Sequence, residues 1–149
     1  MRSQYIKGCI LCDEGSLGKT YEALLIAAQR WYQGKDRLLL VLPPNLVQQW
    51  VHKIEDSFTL PYAIWSSGDE IPGSDGLVIT TYDFAVRHAD ALSSQAWDLV
   101  IFDEADALFK PDNKTVSTLK LATTGAFKLL LTPTPVYTLY LHQTEPTIR

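Results

Sequence analysis

The chain has 149 residues, of which 46% are apolar and 20% are charged, and its formal net charge is −4. This apolar content is normal for a globular domain and too high for a disordered chain, and no apolar run approaches the roughly 20 residues that cross a bilayer. The negative charge argues against a strong general attraction to nucleic acid, but it does not exclude a local basic track. Without a signal-peptide pattern, we expect one cytoplasmic domain that crosses no membrane.

The first two predicted elements are a strand and a helix. Ile6 to Cys12 is an apolar run that predicts a strand, and Gly18 to Gln33 repeats its apolar residues at helical spacing. The apolar face that we expect for this helix consists of Tyr21, Leu24, Leu25, Ala28 and Tyr32. Gly34 is a natural end for the helix.

Two cysteines, Cys9 and Cys12, lie within the first predicted strand. Their C-x-x-C spacing also occurs in zinc and redox sites. However, residues three apart in a strand point to opposite faces, and the sequence offers no second pair of ligands for zinc. We therefore expect two buried thiols in the core.

The remaining elements continue to alternate between strands and helices. The predicted strands are Leu38 to Leu42, Tyr62 to Trp65, Leu77 to Thr80, Asp98 to Phe102 and Phe127 to Leu131. The predicted helices are one capped by Asn45, with Val47, Trp50, Val51, Ile54 and Phe58 as its apolar stripe, then Asp83 to Leu92 and Lys114 to Thr123. Continuously apolar strands between helices are typical of a parallel sheet covered on both faces. We predict one α/β domain, a three-layer α/β/α sandwich that binds ligands beyond the carboxyl ends of its strands.

The first candidate site follows the first predicted strand. Gly18-Lys19-Thr20 opens a helix directly after a loop and matches the end of the phosphate-binding pattern G-x-x-x-x-G-K-[ST], although Asp13 stands at its first position. Small residues let backbone N–H groups surround phosphates, and the helix N-terminus adds a positive partial charge. Lys19 would then reach the outer phosphates, and the Thr20 hydroxyl would bind magnesium. The alternative is a surface turn with an ordinary lysine.

The second candidate site is the acidic pair Asp103-Glu104, which directly follows an apolar strand. Hydrolysis of a nucleotide needs one carboxylate to hold the magnesium shell and another to orient and deprotonate water. Asp103 suits the first role and Glu104 the second. The alternative is that both acids only stabilise the start of a following helix.

The third candidate segment is Leu131-Thr132-Pro133-Thr134-Pro135, after the last predicted strand. Hydroxyl groups at a strand end can form hydrogen bonds with an acidic residue of a neighbouring loop. Taken alone, the segment is better explained as a strand that ends at a proline.

Together, five segments resemble the motifs of one family, in the same order. They are Asp13 to Thr20, Leu40 to Trp50, Val78 to Tyr82, Trp97 to Ala105, and Leu130 to Pro135. The chain resembles the first RecA-like lobe of the superfamily 2 helicases and translocases, and most of all the Swi/Snf-type ATPases. The resemblance implies a RecA-like phosphate-loop fold, ATP and Mg²⁺ as cofactors, and hydrolysis that drives movement on nucleic acid, with duplex DNA favoured.

The resemblance also implies roles for individual residues. The phosphate-binding residues would be Gly15, Ser16, Leu17, Gly18, Lys19 and Thr20, with Thr20 and Asp103 at the magnesium ion. The catalytic residues would be Lys19, Asp103 and Glu104. Nucleic acid would contact Pro43, Asn45, Thr80 and Thr81. Asp106, Thr132 and Thr134 would couple the nucleotide state to motion.

The sequence also departs from the family pattern. Gly15-Ser16 stands where the family has a variable residue and then glycine, and Asp106 stands where Swi/Snf-type proteins more often have histidine. Pro133 replaces a glycine, which removes an N–H group and fixes φ. The family's second RecA-like lobe, with its arginine finger, is absent from these 149 residues. We therefore expect the single lobe to be nearly inactive in hydrolysis. The alternative is a stand-alone nucleotide-binding or interaction module.

Overall fold

The computed structural model describes residues 8–12, 16–73, 75–105 and 114–132. Within these ranges the strands are β1 (Gly8–Cys12), β2 (Leu38–Leu42), β3 (Tyr62–Ile64), β4 (Leu77–Thr81), β5 (Leu99–Phe102) and β6 (Phe127–Thr132). The α-helices are α1 (Ser16–Tyr32), α2 (Val47–Ser57), α3 (Tyr82–Arg87), α4 (Ala89–Ser93) and α5 (Lys114–Ala122). The predicted alternation of strands and helices is therefore confirmed, with small shifts at the ends of elements.

The six strands form one sheet in the order β1-β6-β5-β2-β4-β3, and every neighbouring pair is parallel. The predicted parallel sheet is confirmed. The last strand, β6, lies between β1 and β5, so the carboxyl ends of these three strands are neighbours on one edge.

The residues of β2 explain why helices cover both faces of the sheet. All five are buried, and alternate side chains enter different clusters. Leu38, Leu40 and Leu42 pack with α1 and α2, whereas Leu39 and Val41 pack with α3, α4 and α5. A strand without a polar face needs apolar cover on both sides, and this produces the predicted three-layer sandwich.

Helix α1 begins at Ser16, two residues before the predicted start, and its predicted apolar face is only partly buried. Leu24 and Ala28 are buried as expected, together with Ala23 and Ala27. By contrast, Tyr21, Leu25 and Tyr32 are 44%, 47% and 69% exposed. Ala23, Leu24 and Ala27 of α1 pack in the core beneath the helix, and the three exposed residues line an open groove between α1 and the end of α2.

The predicted cap of the second helix is wrong. Asn45 lies within a 3-10 turn, Pro44–Leu46, and α2 starts only after it. The N-cap of α2 is Leu46, and no side chain forms a capping hydrogen bond there. The turn arises because Pro44 has a fixed φ that suits its first position, and the Leu46 N–H donates to the carbonyl oxygen of Pro43 at 3.0 Å. The predicted stripe is correct, with Trp50 and Ile54 buried.

The predicted third helix is divided into two short helices at His88. The backbone of His88 leaves the helical region, with φ −116° and ψ 33°. Its ring stacks on Phe84 at 4.0 Å, and its Nδ1 lies 3.0 Å from the Phe84 carbonyl oxygen. These contacts within one turn compete with continuation of the helix, and α4 starts at Ala89.

Lys128 of β6 is buried, at 7% exposed, and its Nζ donates to the carbonyl oxygens of Thr123 and Ala126 at 2.8 and 3.3 Å. The Lys128→Met substitution keeps the apolar stem but leaves these acceptors without this donor. We expect it to lower the free energy of unfolding by about 1–2 kcal/mol, because the desolvation of the ammonium group offsets part of the bonding. Urea denaturation of both proteins measures this difference.

The matched control is Lys120→Met on the exposed surface of α5, which we expect to change the free energy of unfolding by less than about 0.5 kcal/mol. Equal effects of the two substitutions would contradict the role given to Lys128.

Two further predictions concern membranes and metals. No α-helix within the described ranges is both long and apolar enough to cross a membrane.

The side chains of Cys9 and Cys12 lie outside the described part, so the prediction of buried thiols stays a prediction. The described residues include no cluster of three or more histidine, cysteine, aspartate or glutamate side chains that could hold a metal ion.

Candidate active site

The sheet order brings the three candidate segments to one edge. α1 follows β1, Asp103 follows β5, and Thr132 ends β6, which lies between these two strands. Since neighbouring strands are separated by about 4.8 Å, the ends of β1 and β5 are roughly 10 Å apart. This spacing suits a small ligand that spans from the start of α1 to the acidic pair.

Lys19 and Thr20 lie in the first turns of α1 and are 5% and 3% exposed, whereas Gly18 is exposed. The backbone of Ser16 and Leu17 belongs to the same turn, and Gly15 lies outside the described residues. Among the described residues, no carboxylate forms an ion pair with Lys19. The backbone N–H groups at a helix start carry a positive partial charge that favours an anion, and the Lys19 ammonium group adds positive charge beside them.

The acidic pair lies at a turn that directly continues β5. The Asp103 N–H donates to the Val41 carbonyl oxygen at 2.9 Å, which extends the pairing with β2 by one residue. The next N–H, that of Glu104, donates to Asp103 Oδ1 at 2.8 Å. Glu104 has φ 51° and is the one non-glycine residue with positive φ in the described part of the chain.

The left-handed conformation of Glu104 costs about 1 kcal/mol, and such strain is concentrated at functional sites. In a continued strand, neighbouring side chains would point to opposite faces of the sheet. Because the chain turns at Glu104, both acidic residues stay at the carboxyl edge. Asp103 is half-buried and Glu104 is exposed to solvent, as expected for a carboxylate that would act on water.

Two aromatic residues that the sequence did not indicate as site residues form hydrogen bonds with Asp103. Trp50 Nε1 donates to Asp103 Oδ2 at 2.8 Å, and the Tyr82 hydroxyl donates to the Asp103 carbonyl oxygen at 2.7 Å. Trp50 is fully buried in the core between α2 and the sheet. The sequence placed Trp50 in an apolar stripe, and nothing in that pattern shows where an indole N–H points.

The structure brings three of the four candidate nucleic-acid residues toward the surface. Asn45 is exposed, and Pro43 and Thr81 are partly exposed at the carboxyl ends of β2 and β4. Thr80, in contrast, is 1% exposed, and its hydroxyl donates to the Trp65 carbonyl oxygen at 2.9 Å. The Thr80 side chain is therefore not at the surface, and its expected contact with nucleic acid stays a prediction.

Of the three candidate coupling residues, only Thr132 is described. It is completely buried at the end of β6, between the ends of β1 and β5. Asp106 and Thr134 lie outside the described residues, as does Pro133, so their expected roles stay predictions.

A parallel sheet with a buried lysine at the helix start after β1 and an acidic pair after β5 defines a phosphate-loop protein of the RecA-like class. The chain matches the SNF2-related domain family over residues 1–142. It therefore belongs to the SNF2-related domain family. This confirms the resemblance, drawn from the five sequence motifs, to the first RecA-like lobe of the Swi/Snf-type ATPases.

Curated relatives from bacteria and an animal support this assignment. The uncharacterized ATP-dependent helicase YqhH of Bacillus subtilis is 34% identical over 85% of this chain and 23% of its own length. The RNA polymerase-associated protein RapA of Pseudomonas savastanoi is 31% identical over 85% of this chain and 15% of its own. The chromodomain-helicase-DNA-binding protein 1-like of Danio rerio is 29% identical over 87% of this chain and 14% of its own length. The chain thus spans less than a quarter of these relatives.

A solved structure agrees on the fold. The SWI2/SNF2 ATPase core of Sulfolobus solfataricus, determined in complex with double-stranded DNA, matches with a TM-score of 0.76 and 20% identity. The match covers 91% of this chain and 31% of the other. At this identity, the comparison confirms the predicted RecA-like α/β fold.

Proposed function

We propose that this lobe binds Mg-ATP at the carboxyl ends of β1, β6 and β5 and, when joined to a second RecA-like lobe, hydrolyses it to move along nucleic acid. The observation that carries this proposal is the placement of Lys19 and the Asp103-Glu104 pair on one sheet edge, with only β6 between their strands. Lys19 and the acidic pair are far apart in the sequence, and the order of the strands places them next to each other.

The phosphate end of the nucleotide would lie at the first turn of α1. Residues 15–20 would surround the phosphates with backbone N–H groups, and Lys19 would neutralise part of their charge. The buried position of Lys19 in the first turns of α1 supports this part of the proposal.

The hydrolytic end would lie at Asp103 and Glu104. The donor set fits magnesium, which prefers oxygen ligands: Thr20 would contribute a hydroxyl and Asp103 a carboxylate, directly or through water. The ion would neutralise charge that develops on the phosphate oxygens. Glu104 would orient the attacking water and accept its proton, and its exposed position on a fixed turn supports that role.

The nucleic acid would lie across the carboxyl ends of β2 and β4, with its backbone against Pro43, Asn45 and Thr81. Support comes from the exposure of these residues and from the Sulfolobus SWI2/SNF2 ATPase core, which was determined in complex with double-stranded DNA. We favour duplex DNA on that basis. Thr80 would contribute by fixing the end of β4 rather than by direct contact, because its hydroxyl is bonded to the Trp65 carbonyl oxygen.

The test of this function is calorimetric titration of the chain with Mg-ATP and, separately, with adenosine. Because charge-assisted hydrogen bonds contribute about 1.5–3 kcal/mol each, we expect Mg-ATP to bind at least about 100-fold more tightly than adenosine. Equal affinities, or no binding of Mg-ATP, would refute the proposed phosphate site.

A further inference from the structure

Asp103 is bonded at each of its four polar groups. Its N–H donates to Val41, its carbonyl oxygen accepts from Tyr82, and its two carboxylate oxygens accept from the Glu104 N–H and from Trp50 Nε1. The bonds to Glu104 and Tyr82 act within or beside the turn. The bond to Trp50 is different, because it reaches the carboxylate from another helix, 53 positions away in sequence.

In the hydrogen bond between Trp50 and Asp103, the donor and the acceptor cannot exchange roles. An indole N–H donates and never accepts, whereas an ionised carboxylate only accepts and has about four lone-pair sites. One donor on each oxygen therefore leaves further lone pairs on both oxygens for a cation or its bound waters. Trp50 is 0% exposed and packed on all sides, so its ring cannot rotate away without disturbing the core.

We propose that Trp50 is the positioning residue of the magnesium site, a role that rests on the proposed function of Asp103. The buried indole holds the Asp103 carboxylate in one orientation before the ion arrives. Partners of this kind, which bind a metal ligand rather than the metal, typically change metal affinity by about 10- to 100-fold when they are removed.

The decisive variant is Trp50→Phe, which keeps an aromatic ring in the core and removes the N–H donor. Nucleotide affinity is measured by titration with ATP over a series of Mg²⁺ concentrations and in EDTA. We expect the half-saturating Mg²⁺ concentration to rise about 10-fold. Affinity for ATP in EDTA should stay at the wild-type value, because the phosphate contacts of α1 do not involve Trp50.

The chain offers a matched control in Trp97→Phe. Trp97 is also buried, at 4% exposed, and its Nε1 donates to the Leu92 carbonyl oxygen at 2.9 Å, in the cluster on the opposite face of the sheet. This variant loses an equivalent indole hydrogen bond, so it should lose similar thermal stability while its Mg²⁺ dependence stays unchanged. If the Mg²⁺ dependence changes in both variants, its cause is general destabilisation of the fold and not the loss of the bond to Asp103. That result would overturn the proposal.

A second measurement uses the wild-type chain and does not depend on the folding of a variant. In a ¹H–¹⁵N spectrum with assigned indole signals, addition of Mg²⁺ to the ATP-bound chain should shift the Trp50 signal and leave that of Trp97 in place. An unmoved Trp50 signal, or wild-type Mg²⁺ dependence in Trp50→Phe, overturns the positioning role alone. Failure of the wild-type chain to bind Mg-ATP overturns the proposed function, and the positioning role with it.

Discussion

Replacement of Lys19 with alanine is expected to weaken the binding of Mg-ATP by about 100-fold. The estimate follows from the loss of one or two charge-assisted hydrogen bonds to phosphate, each worth about 1.5–3 kcal/mol. The effect should be large because Lys19 is 5% exposed, and little water screens its charge. Calorimetric titration of the wild-type chain and the variant measures the change in dissociation constant.

The control for this substitution is Lys35→Ala. Lys35 is exposed beyond the end of α1, at the opposite edge of the sheet, so its removal should leave the affinity within about twofold of wild type. Thermal unfolding of each variant shows whether the fold survives. If Lys19→Ala is folded and binds Mg-ATP as tightly as the wild-type chain, the helix start of α1 is not the phosphate site.

The sequence predicted the sheet well because the signal for each strand is local. The run from Leu38 to Leu42 is apolar at every position, and every one of its side chains is buried. Such a run has no solvent-facing side, so it must lie between two layers. The same logic identified β5, and therefore the position of Asp103 and Glu104 at a strand end.

The order of the strands in the sheet could not be predicted from the residues alone. The alternation of elements shows that a parallel sheet forms, but not that β6 lies between β1 and β5. That order depends on contacts between residues more than 100 positions apart, such as Leu11 and Leu131. The motif resemblance supplied the conclusion that the sites meet, and the sheet order now gives its physical basis.

Asn45 and Thr80 differ from what their residue types suggest, because the neighbouring backbone decides the position of each side chain. Asn45 is a good helix cap by type, but the adjacent prolines direct the chain into a 3-10 turn first. Thr80 is polar and lies at a strand end, yet its hydroxyl meets a buried carbonyl of the segment after β3. In both cases the outcome depends on the neighbouring backbone, which residue type alone does not reveal.

Trp50 and Tyr82 show the same limit in the functional site. Both belong to segments whose resemblance implied contact with nucleic acid, and both direct a donor to Asp103 instead. A buried tryptophan in an apolar stripe is well explained by packing alone, so residue type and spacing do not indicate a role in the site. Only the three-dimensional path of α2 over the sheet shows that its indole N–H reaches a carboxylate.

Residues 1–149 alone are expected to hydrolyse ATP at least about 1,000-fold more slowly than the same lobe fused to a second RecA-like lobe of the family. The reason is electrostatic. The described site holds Lys19 on the phosphate side, but no arginine of the described residues lies at the sheet edge formed by the ends of β1, β6 and β5. An arginine supplied by a second lobe stabilises the transition-state charge and is worth about 10³–10⁵ in rate. Phosphate release under saturating Mg-ATP measures both proteins.

The control separates the arginine from the other effects of the fusion. Substitution of the finger arginine by alanine should return the fused protein close to the rate of the single lobe, while Mg-ATP binding persists. Duplex DNA should stimulate the fused protein but raise the rate of the single lobe only slightly, because the proposed function requires a second lobe to complete the hydrolytic site. Strong stimulation of the single lobe by DNA would mean that its own residues complete the site, and the requirement for a second lobe would then be wrong.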